Sequence, residues 1–374
     1  MHASFVLGRV AGVEIGVNWS WLIVVWLVLW SLGSVVFPEE VPGLSDGAYA
    51  AMALAAAALF FSSLLLHELG HAVVARREGM EIAGITLWVF GGVARFTGMF
   101  PSARAELRIA LAGPAVSLVL GAVFLALAEL VPEPAAVNGV ISWLGRINLI
   151  LLAFNMLPAL PLDGGRVLRA LIWRSTGDLT RATRTAGALG RAFGHGLVAL
   201  GLLTLLLAGA PGGLWLVVIG LFLTAAATAE TSLATMRSAL DGLQVSDAMA
   251  REPVCVPADL TLAQFVEGPF ADSRHAAYPV LRDGQAVGLL AFGDLKRVPP
   301  AQWEHTHAED LARASGEVPV FSSEDELADA TMELADTQLG RALVLHDGRL
   351  EGLLSMTDVS RLLEIRRLLT VTRV

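Results

Sequence analysis

The sequence has few charged residues and almost no cysteine. Only 16% of its 374 residues are charged, and it contains a single cysteine, Cys255. One cysteine excludes an internal disulfide and a thiolate metal cluster, so a metal here needs histidine and carboxylate ligands. The net charge is −9 and the chain has no basic run, which argues against nucleic acid as a partner.

Apolar residues are abundant instead. They make up 55% of the chain, and the mean hydropathy of +0.63 is high for a soluble domain. The long apolar runs lie within residues 1–237, whereas charged residues become frequent from Asp241 onward. We therefore predict a membrane domain at residues 1–240 and a soluble domain at 241–374.

Six stretches approach the roughly 20 apolar residues that a bilayer-spanning helix needs. They are Trp19–Phe37, Ala50–Val74, Leu107–Leu130, Val140–Leu160, Gly187–Leu207 and Gly213–Thr235. The fourth contains Arg146, Asn148 and Asn155, which we expect to face the protein interior because polar groups are costly against lipid. The fold class predicted for this domain is a polytopic α-helical membrane protein.

The distribution of arginine predicts the orientation of these spans. Arginines lie before the first span, between the second and third, between the fourth and fifth, and after the sixth, whereas the other loops contain no Lys or Arg. Cytoplasmic loops are enriched in these residues. We therefore predict that both termini are cytoplasmic, and the arginine- and alanine-rich composition favours a bacterial inner membrane.

The segment Gly84–Thr97, between the second and third spans, is predicted to form a β-hairpin. It is apolar, rich in β-forming residues and broken by Gly91-Gly92. Open strand edges are not tolerated against lipid, so a hairpin at membrane depth must dock on helices or line a polar cavity. A cytosolic hairpin at the membrane interface is the alternative.

The second span contains the motif His67-Glu68-Leu69-Gly70-His71, an H-E-x-x-H pattern. Residues i and i+4 share a helix face, so both imidazoles can bind one zinc ion while the glutamate acts on a water molecule. The same pattern occurs by chance in unrelated helices. Ionisable residues within an apolar span are costly, however, and this favours the functional interpretation.

A catalytic zinc usually has three protein ligands and an open position. The end of the fourth span offers Asp163, which follows Pro158 and Pro161 and precedes Gly164-Gly165. An Asp before two glycines is also typical of a turn or a helix cap. Its occurrence together with the histidine motif favours a third metal ligand.

These motifs resemble those of the site-2 protease family, and the resemblance covers the whole chain. The H-E-x-x-H pattern matches the family's zinc motif, and Asn155, eight residues before Asp163, matches the start of its second motif. The resemblance implies one zinc ion per chain, bound by His67, His71 and Asp163. It also implies that Glu68 is the catalytic base and that Asn155 handles the substrate or the developing oxyanion.

Weaker matches agree with this family. They include Gly91-Gly92 and Gly113-Pro114, although many relatives have Asn where Ser117 stands. The resemblance implies a zinc metalloendopeptidase whose partners are the lipid bilayer and a membrane-spanning or membrane-near protein substrate.

The soluble part contains two similar units, at residues 245–299 and 308–364. Each is predicted to form a strand, an Asp-Gly turn, a second strand and a helix that begins at an Asp. This arrangement resembles a tandem pair of CBS domains, which are α/β modules.

In such pairs, a Ser or Thr three residues before the helix-starting Asp contacts the ribose of an adenine nucleotide. The second unit has Ser355 with Asp358, whereas the first has Ala291 with Asp294. The resemblance therefore implies at most one good nucleotide site. A module that serves only homodimerisation or substrate docking is the alternative.

Intramembrane proteolysis is the leading functional hypothesis, and two others were weighed against it. A CBS-gated metal transporter also needs intramembrane His and Asp, but Glu68 has no evident task in one. A catalytically inactive membrane scaffold does not need every zinc-site residue, and all of them are present.

Overall fold

A computed structural model describes residues 4–10, 12–89, 91–97, 99–210 and 212–371. The contacts within the chain divide it into two units that meet between Ala234 and Thr235. Each unit has its own buried core.

The first unit is built from long helices and one small sheet. In chain order its elements are β1 (Phe5–Val10), β2 (Val13–Val17), α1 (Ser20–Ser31), α2 (Phe37–Glu40), α3 (Asp46–Arg77), β3 (Glu81–Trp88), β4 (Gly91–Thr97), α4 (Ala103–Leu130), α5 (Ala135–Asn155), α6 (Asp163–Thr176), α7 (Leu179–Ala208) and α8 (Gly212–Leu240). A π-helical turn, Leu32–Val36, joins α1 to α2. Six of the described helical segments are long and apolar enough to cross a bilayer, namely α1 with α2, and α3, α4, α5, α7 and α8. This confirms the predicted polytopic helical fold.

Serine side chains cap the N-termini of α3 and α4. The Ser45 hydroxyl accepts a hydrogen bond from the Ala48 N–H at the start of α3 (3.3 Å), and Ser102 accepts one from Ala105 at the start of α4 (3.1 Å). Each cap satisfies one of the N–H groups that a helix start leaves without a partner.

The small sheet has the strand order β1-β2-β3-β4. Strands β2 and β3 are parallel and the other pairs are antiparallel, so β3 and β4 form the predicted hairpin, with its turn between Trp88 and Gly91. Val13 and Ile85 pack against Ala72 of α3, so the sheet docks on a helix. Docking on helices was one of the two possibilities predicted for a hairpin at membrane depth. Strands β1 and β2 were not predicted.

The fourth span begins and ends five residues earlier than predicted. Helix α5 ends at Asn155 and a separate helix, α6, begins at Asp163, whereas the prediction continued the span to Leu160. Pro158 ends the helical region because proline lacks an N–H and disfavours helical geometry in the residue before it. Helix α6 ends where Gly177 takes a left-handed conformation (φ 75°), a common helix terminus.

Two of the polar residues in this span have different environments. Asn148 is fully buried, as predicted, and its Nδ2 donates to the Leu144 carbonyl (2.9 Å). The prediction for Arg146 was wrong, because its side chain is half exposed and pairs with Glu40 (2.6 Å). An ion pair with a residue of a neighbouring span lets this charge remain near the surface of the protein.

The second unit is an α/β module. Its strands and helices are β5 (Val256–Pro257), α9 (Leu262–Phe265), α10 (Ala271–Ser273), β6 (Ala277–Arg282), β7 (Gln285–Ala291), α11 (Ala308–Leu311), β8 (Arg313–Ala314), β9 (Val320–Phe321), α12 (Leu327–Ala335), β10 (Arg341–His346), β11 (Arg349–Ser355) and α13 (Met356–Val371). Strands β6 and β7 form one hairpin, and β10 and β11 form the other. Asp283-Gly284 and Asp347-Gly348 have positive φ at both turn residues, which is the two-residue hairpin turn that Asp-Gly favours.

Candidate metal centre

The two histidines of the H-E-x-x-H motif lie on one face of α3. His67 and His71 are buried (2% and 7% exposed), and their Nε2 atoms are 3.3 Å apart. Their spacing of one helical turn puts both rings on the side of α3 that faces α4 and α6. The predicted pairing of the imidazoles is therefore present in the fold.

Asp163 completes the cluster from a distant part of the sequence. Its Oδ2 lies 3.2 Å from His67 Nε2, and its Oδ1 lies 3.3 Å from His71 Nε2. The ligand atoms of these three residues all lie within 4.8 Å of one another. Among the described residues, this is the group of His, Cys, Asp and Glu side chains with the geometry to hold a metal ion.

The start of α6 explains how Asp163 reaches this position. Asp163 is the first residue of α6, where the helix dipole favours a carboxylate. A Cβ on the next residue, Gly164, would overlap the Met156 carbonyl, and one on Gly165 would lie 2.7 Å from the Ala159 carbonyl oxygen. The two glycines therefore allow the helix start to pack against the preceding loop.

The protonation of these groups suits a cation. Burial acts to raise the pKa of Asp163, but hydrogen bonds from His67 and His71 outweigh it and hold that pKa well below its usual range. His71 Nδ1 lies 2.7 Å from the Ile109 carbonyl oxygen, which can only accept, so Nδ1 carries the proton. Nε2, which shares its proton with Asp163 in this cluster, is then the nitrogen whose proton a metal ion would replace.

Space for an ion is provided by a glycine of α4. A Cβ built on Gly113 would lie 2.6 Å from His67 Nε2 and 2.7 Å from His71 Cε1, so any side chain here would fill the region where the ligand atoms converge. Two imidazoles and one carboxylate around a side-chain-free position fit a catalytic zinc, which takes three such ligands and leaves a coordination position open.

Glu68 lies beside the cluster and against the sheet. A Cβ on Gly92 of β4 would lie 2.9 Å from Glu68 Cδ and 3.0 Å from its Oε1. The carboxylate thus packs directly on the backbone of β4, which is at the edge of the described sheet.

Asn155 does not share the described hydrogen bonds of the three clustered residues. It is the last residue of α5 and is half-buried. The described hydrogen bonds that join the His–Asp cluster do not include it. The structure therefore brings together the three predicted ligands, and Asn155 ends the helix from which the loop to Asp163 begins.

A buried ion-pair network that the sequence analysis missed connects α6 to two spans. Arg169 donates from Nε to Glu106 of α4 (2.6 Å) and from a terminal nitrogen to Glu230 of α8 (2.6 Å). Glu106 is fully buried and Arg169 is 6% exposed. Because Arg169 lies on the helix that Asp163 begins, this network, defined as Glu106, Arg169 and Glu230, fixes the helix that carries the third ligand.

The two positions that were predicted to contact a nucleotide differ in the structure. Ser355, at the end of β11, is 2.5 Å from Asp358 Oδ2, and its hydroxyl oxygen accepts from the Asp358 N–H (3.2 Å). Asp294 is 5% exposed, and its carboxylate accepts from Arg313 (3.3 and 3.4 Å) and Arg297 (3.4 Å). The carboxylate of the first repeat is therefore held by two arginines, whereas that of the second repeat accepts from the neighbouring Ser355 hydroxyl.

Two family models match the chain. The model for peptidase family M50 matches residues 55–137 and 132–197, and the model for the CBS domain matches residues 245–300 and 308–365.

Several known proteins are similar to this chain. Rip3 of Mycobacterium tuberculosis, named as a candidate zinc metalloprotease, is 39% identical over 373 residues, which cover 98% of this chain and 95% of that protein. The zinc metalloprotease MJ0392 of Methanocaldococcus jannaschii is 31% identical over 313 residues, covering 83% of this chain and 85% of that protein. A solved structure, the site-2 protease from Methanocaldococcus jannaschii, is 29% identical and covers 61% of this chain and 94% of that chain, with a TM-score of 0.42.

Proposed function

This chain belongs to peptidase family M50 and is a multi-pass membrane zinc metalloprotease, and from that premise we propose that His67, His71 and Asp163 hold its zinc ion. The observation that carries the proposal is the convergence of two buried Nε2 atoms and one carboxylate within 4.8 Å. The space left by Gly113 supports it, because the ligand atoms face a position without a side chain.

Glu68 is the general base in this proposal. When bound, zinc supplies a Lewis acid that polarises the scissile carbonyl and lowers the pKa of water. The Glu68 carboxylate takes a proton from the attacking water and gives it to the amide nitrogen that leaves. Asn155, at the end of α5, donates its amide N–H to the carbonyl oxygen as that oxygen gains negative charge.

The test of this assignment combines metal content with cleavage. Detergent-purified wild type and Glu68→Gln are analysed for zinc by mass spectrometry and assayed on a model transmembrane substrate. We expect one zinc ion per chain in both proteins and a loss of cleavage of about 100- to 10,000-fold in the variant. Normal cleavage by Glu68→Gln would make the assignment of the base wrong. Absence of zinc from wild type would sink the whole site, and zinc without any cleavage by wild type would favour a transporter.

The substrate is proposed to bind as an extra strand at β4. This strand lies at the edge of the described sheet and its backbone at Gly92 packs against Glu68, so an added strand would pass close to the base. Along an antiparallel edge strand, successive N–H groups point alternately to the partner strand and outward.

Proline placed singly at Val93 and at Ala94 tests this binding mode. One of these residues directs its N–H toward β3 and the other directs it outward. We expect the substitution that removes the outward N–H to slow cleavage without lowering the thermal unfolding midpoint. Unchanged turnover in both variants contradicts the binding mode.

The membrane orientation is also part of the proposal, with both termini in the cytoplasm of a bacterial cell. The arginine-free loop between α4 and α5 then lies outside, and α6 lies inside. In a Cys255→Ser background, an impermeant maleimide on intact cells should label Ala135→Cys but not Ser175→Cys. The reverse pattern would invert the topology.

The CBS pair is proposed to bind one adenine nucleotide at Ser355 and Asp358, since the Asp294 carboxylate is engaged by two arginines. We expect this nucleotide to change the rate of cleavage and the CBS pair to support a homodimer. Cleavage is measured with and without ATP and AMP, and oligomeric state by light scattering. Equal rates in all conditions remove the regulatory role.

A further inference from the structure

Ser117 touches the metal cluster from outside the set of predicted ligands. It lies on α4, four residues after Gly113, and is fully buried. Its hydroxyl oxygen is 2.8 Å from Nδ1 of His67. The remote nitrogen of one proposed ligand is therefore in hydrogen-bond contact with a side chain of the facing helix.

The tautomer of His67 depends on this contact. A neutral imidazole that offers Nε2 to a metal must carry its proton on Nδ1. For His71 the Ile109 carbonyl imposes that state, because a carbonyl cannot donate. The hydroxyl at His67 can donate or accept, so it suits the metal-binding tautomer only when it accepts from Nδ1.

We propose that Ser117 is a positioning residue that accepts the Nδ1 proton of His67 and thereby holds the His67 Nε2 atom toward Asp163. This inference rests on the zinc site proposed above. The Ser117 hydroxyl proton is then directed away from His67. The two helices α3 and α4 thus share the task of orienting the ligand.

Ser117→Ala in the full-length protein removes the hydrogen-bond acceptor. It replaces one small buried residue by another, so we expect the fold to be retained. Zinc affinity is measured by competition with a chromogenic chelator, using zinc alone as the probe. Partners that orient metal-binding histidines typically contribute about 10- to 100-fold to metal affinity, and we expect a loss of that size. Cleavage at saturating zinc is a second readout.

Ser63→Ala is the matched control. Ser63 is a buried serine of α3 (3% exposed) whose hydroxyl donates to the Leu59 carbonyl of its own helix (2.9 Å). We expect its zinc affinity to equal that of wild type. A role of Ser117 in packing alone would lower the unfolding midpoint of the metal-free protein and leave zinc affinity unchanged.

Wild-type zinc affinity in Ser117→Ala overturns the inference. If that variant does not fold, Ser117→Cys replaces it, because sulfur is a weak acceptor of nearly the same shape and should also weaken zinc binding. Wild-type affinity in Ser117→Cys would likewise overturn the inference. Failure of the proposed zinc site itself is distinguishable, since wild type would then bind no zinc at all.

Discussion

Gly113→Ala is the sharpest test of the site, because it adds one methyl group at the place where the ligand atoms converge. The added carbon would lie 2.6 Å from His67 Nε2 and 2.7 Å from His71 Cε1. Non-bonded heavy atoms prefer about 3.5 Å or more, so one or both rings must move by about 1 Å. Zinc–ligand distances tolerate only about 0.2 Å, so the displaced rings could no longer share one ion.

We expect the zinc content of Gly113→Ala to fall from one ion per chain toward none, measured by mass spectrometry after dialysis. Cleavage should fall by at least about 100-fold, since a 1 Å misplacement of a catalytic group has that effect. The free energy of unfolding of the metal-free protein should fall by no more than about 1–3 kcal/mol, because the strain of moving the two buried rings is offset in part by the higher helix propensity of alanine.

Gly196→Ala is the matched control. Gly196 is also a glycine within a long helix, α7, and a Cβ built there would meet nothing within 4 Å. This variant should keep its zinc and its activity and gain up to about 1 kcal/mol of stability. If Gly113→Ala also bound one zinc ion and cleaved normally, the paired Nε2 atoms would not be the metal site.

Three further outcomes are expected. Arg169→Met leaves the buried Glu106 without its ion-pair partner and should lower the free energy of unfolding by about 3–5 kcal/mol, measured by thermal or denaturant unfolding. Arg108→Ala breaks an exposed ion pair and should lower it by less than about 1 kcal/mol; equal losses in the two variants would refute the role of the network. Removal of zinc with a chelator should abolish cleavage, and added zinc should restore it; cleavage that persists without zinc would contradict the metal requirement. Asp358→Ala should weaken AMP binding in calorimetry at least tenfold and Asp294→Ala should not, and the opposite order would place the nucleotide in the first repeat.

The local part of the site could be predicted from the sequence because it depends on one helix. A spacing of four residues puts His67 and His71 on one face of α3 whatever surrounds that helix. The approach of Asp163 is a different matter, since it lies 96 residues from His67 and no periodicity connects them. The need of a catalytic zinc for a third ligand made Asp163 a candidate, and the resemblance to a known family supported that pairing.

Other features were missed for physical reasons. Helix α6 was not predicted, because its residues were assigned to the loop between the fourth and fifth spans, although Gly177 supplies a typical helix terminus. The Glu106–Arg169–Glu230 network joins three helices, and pairing of charges across such distances leaves no local pattern. The sequence signal that could have indicated the network was Glu230, a glutamate within the predicted span Gly213–Thr235.

The separation of the ligands along the chain also bears on how the protein is made. A ribosome adds about 5–20 residues per second, so the two histidines emerge roughly 5–20 seconds before the aspartate that lies 96 residues later. During that interval the nascent chain holds only an incomplete set of ligands. The peptidase therefore cannot complete its metal site, and stays inactive, while the first four of its six candidate spans are inserted into the membrane.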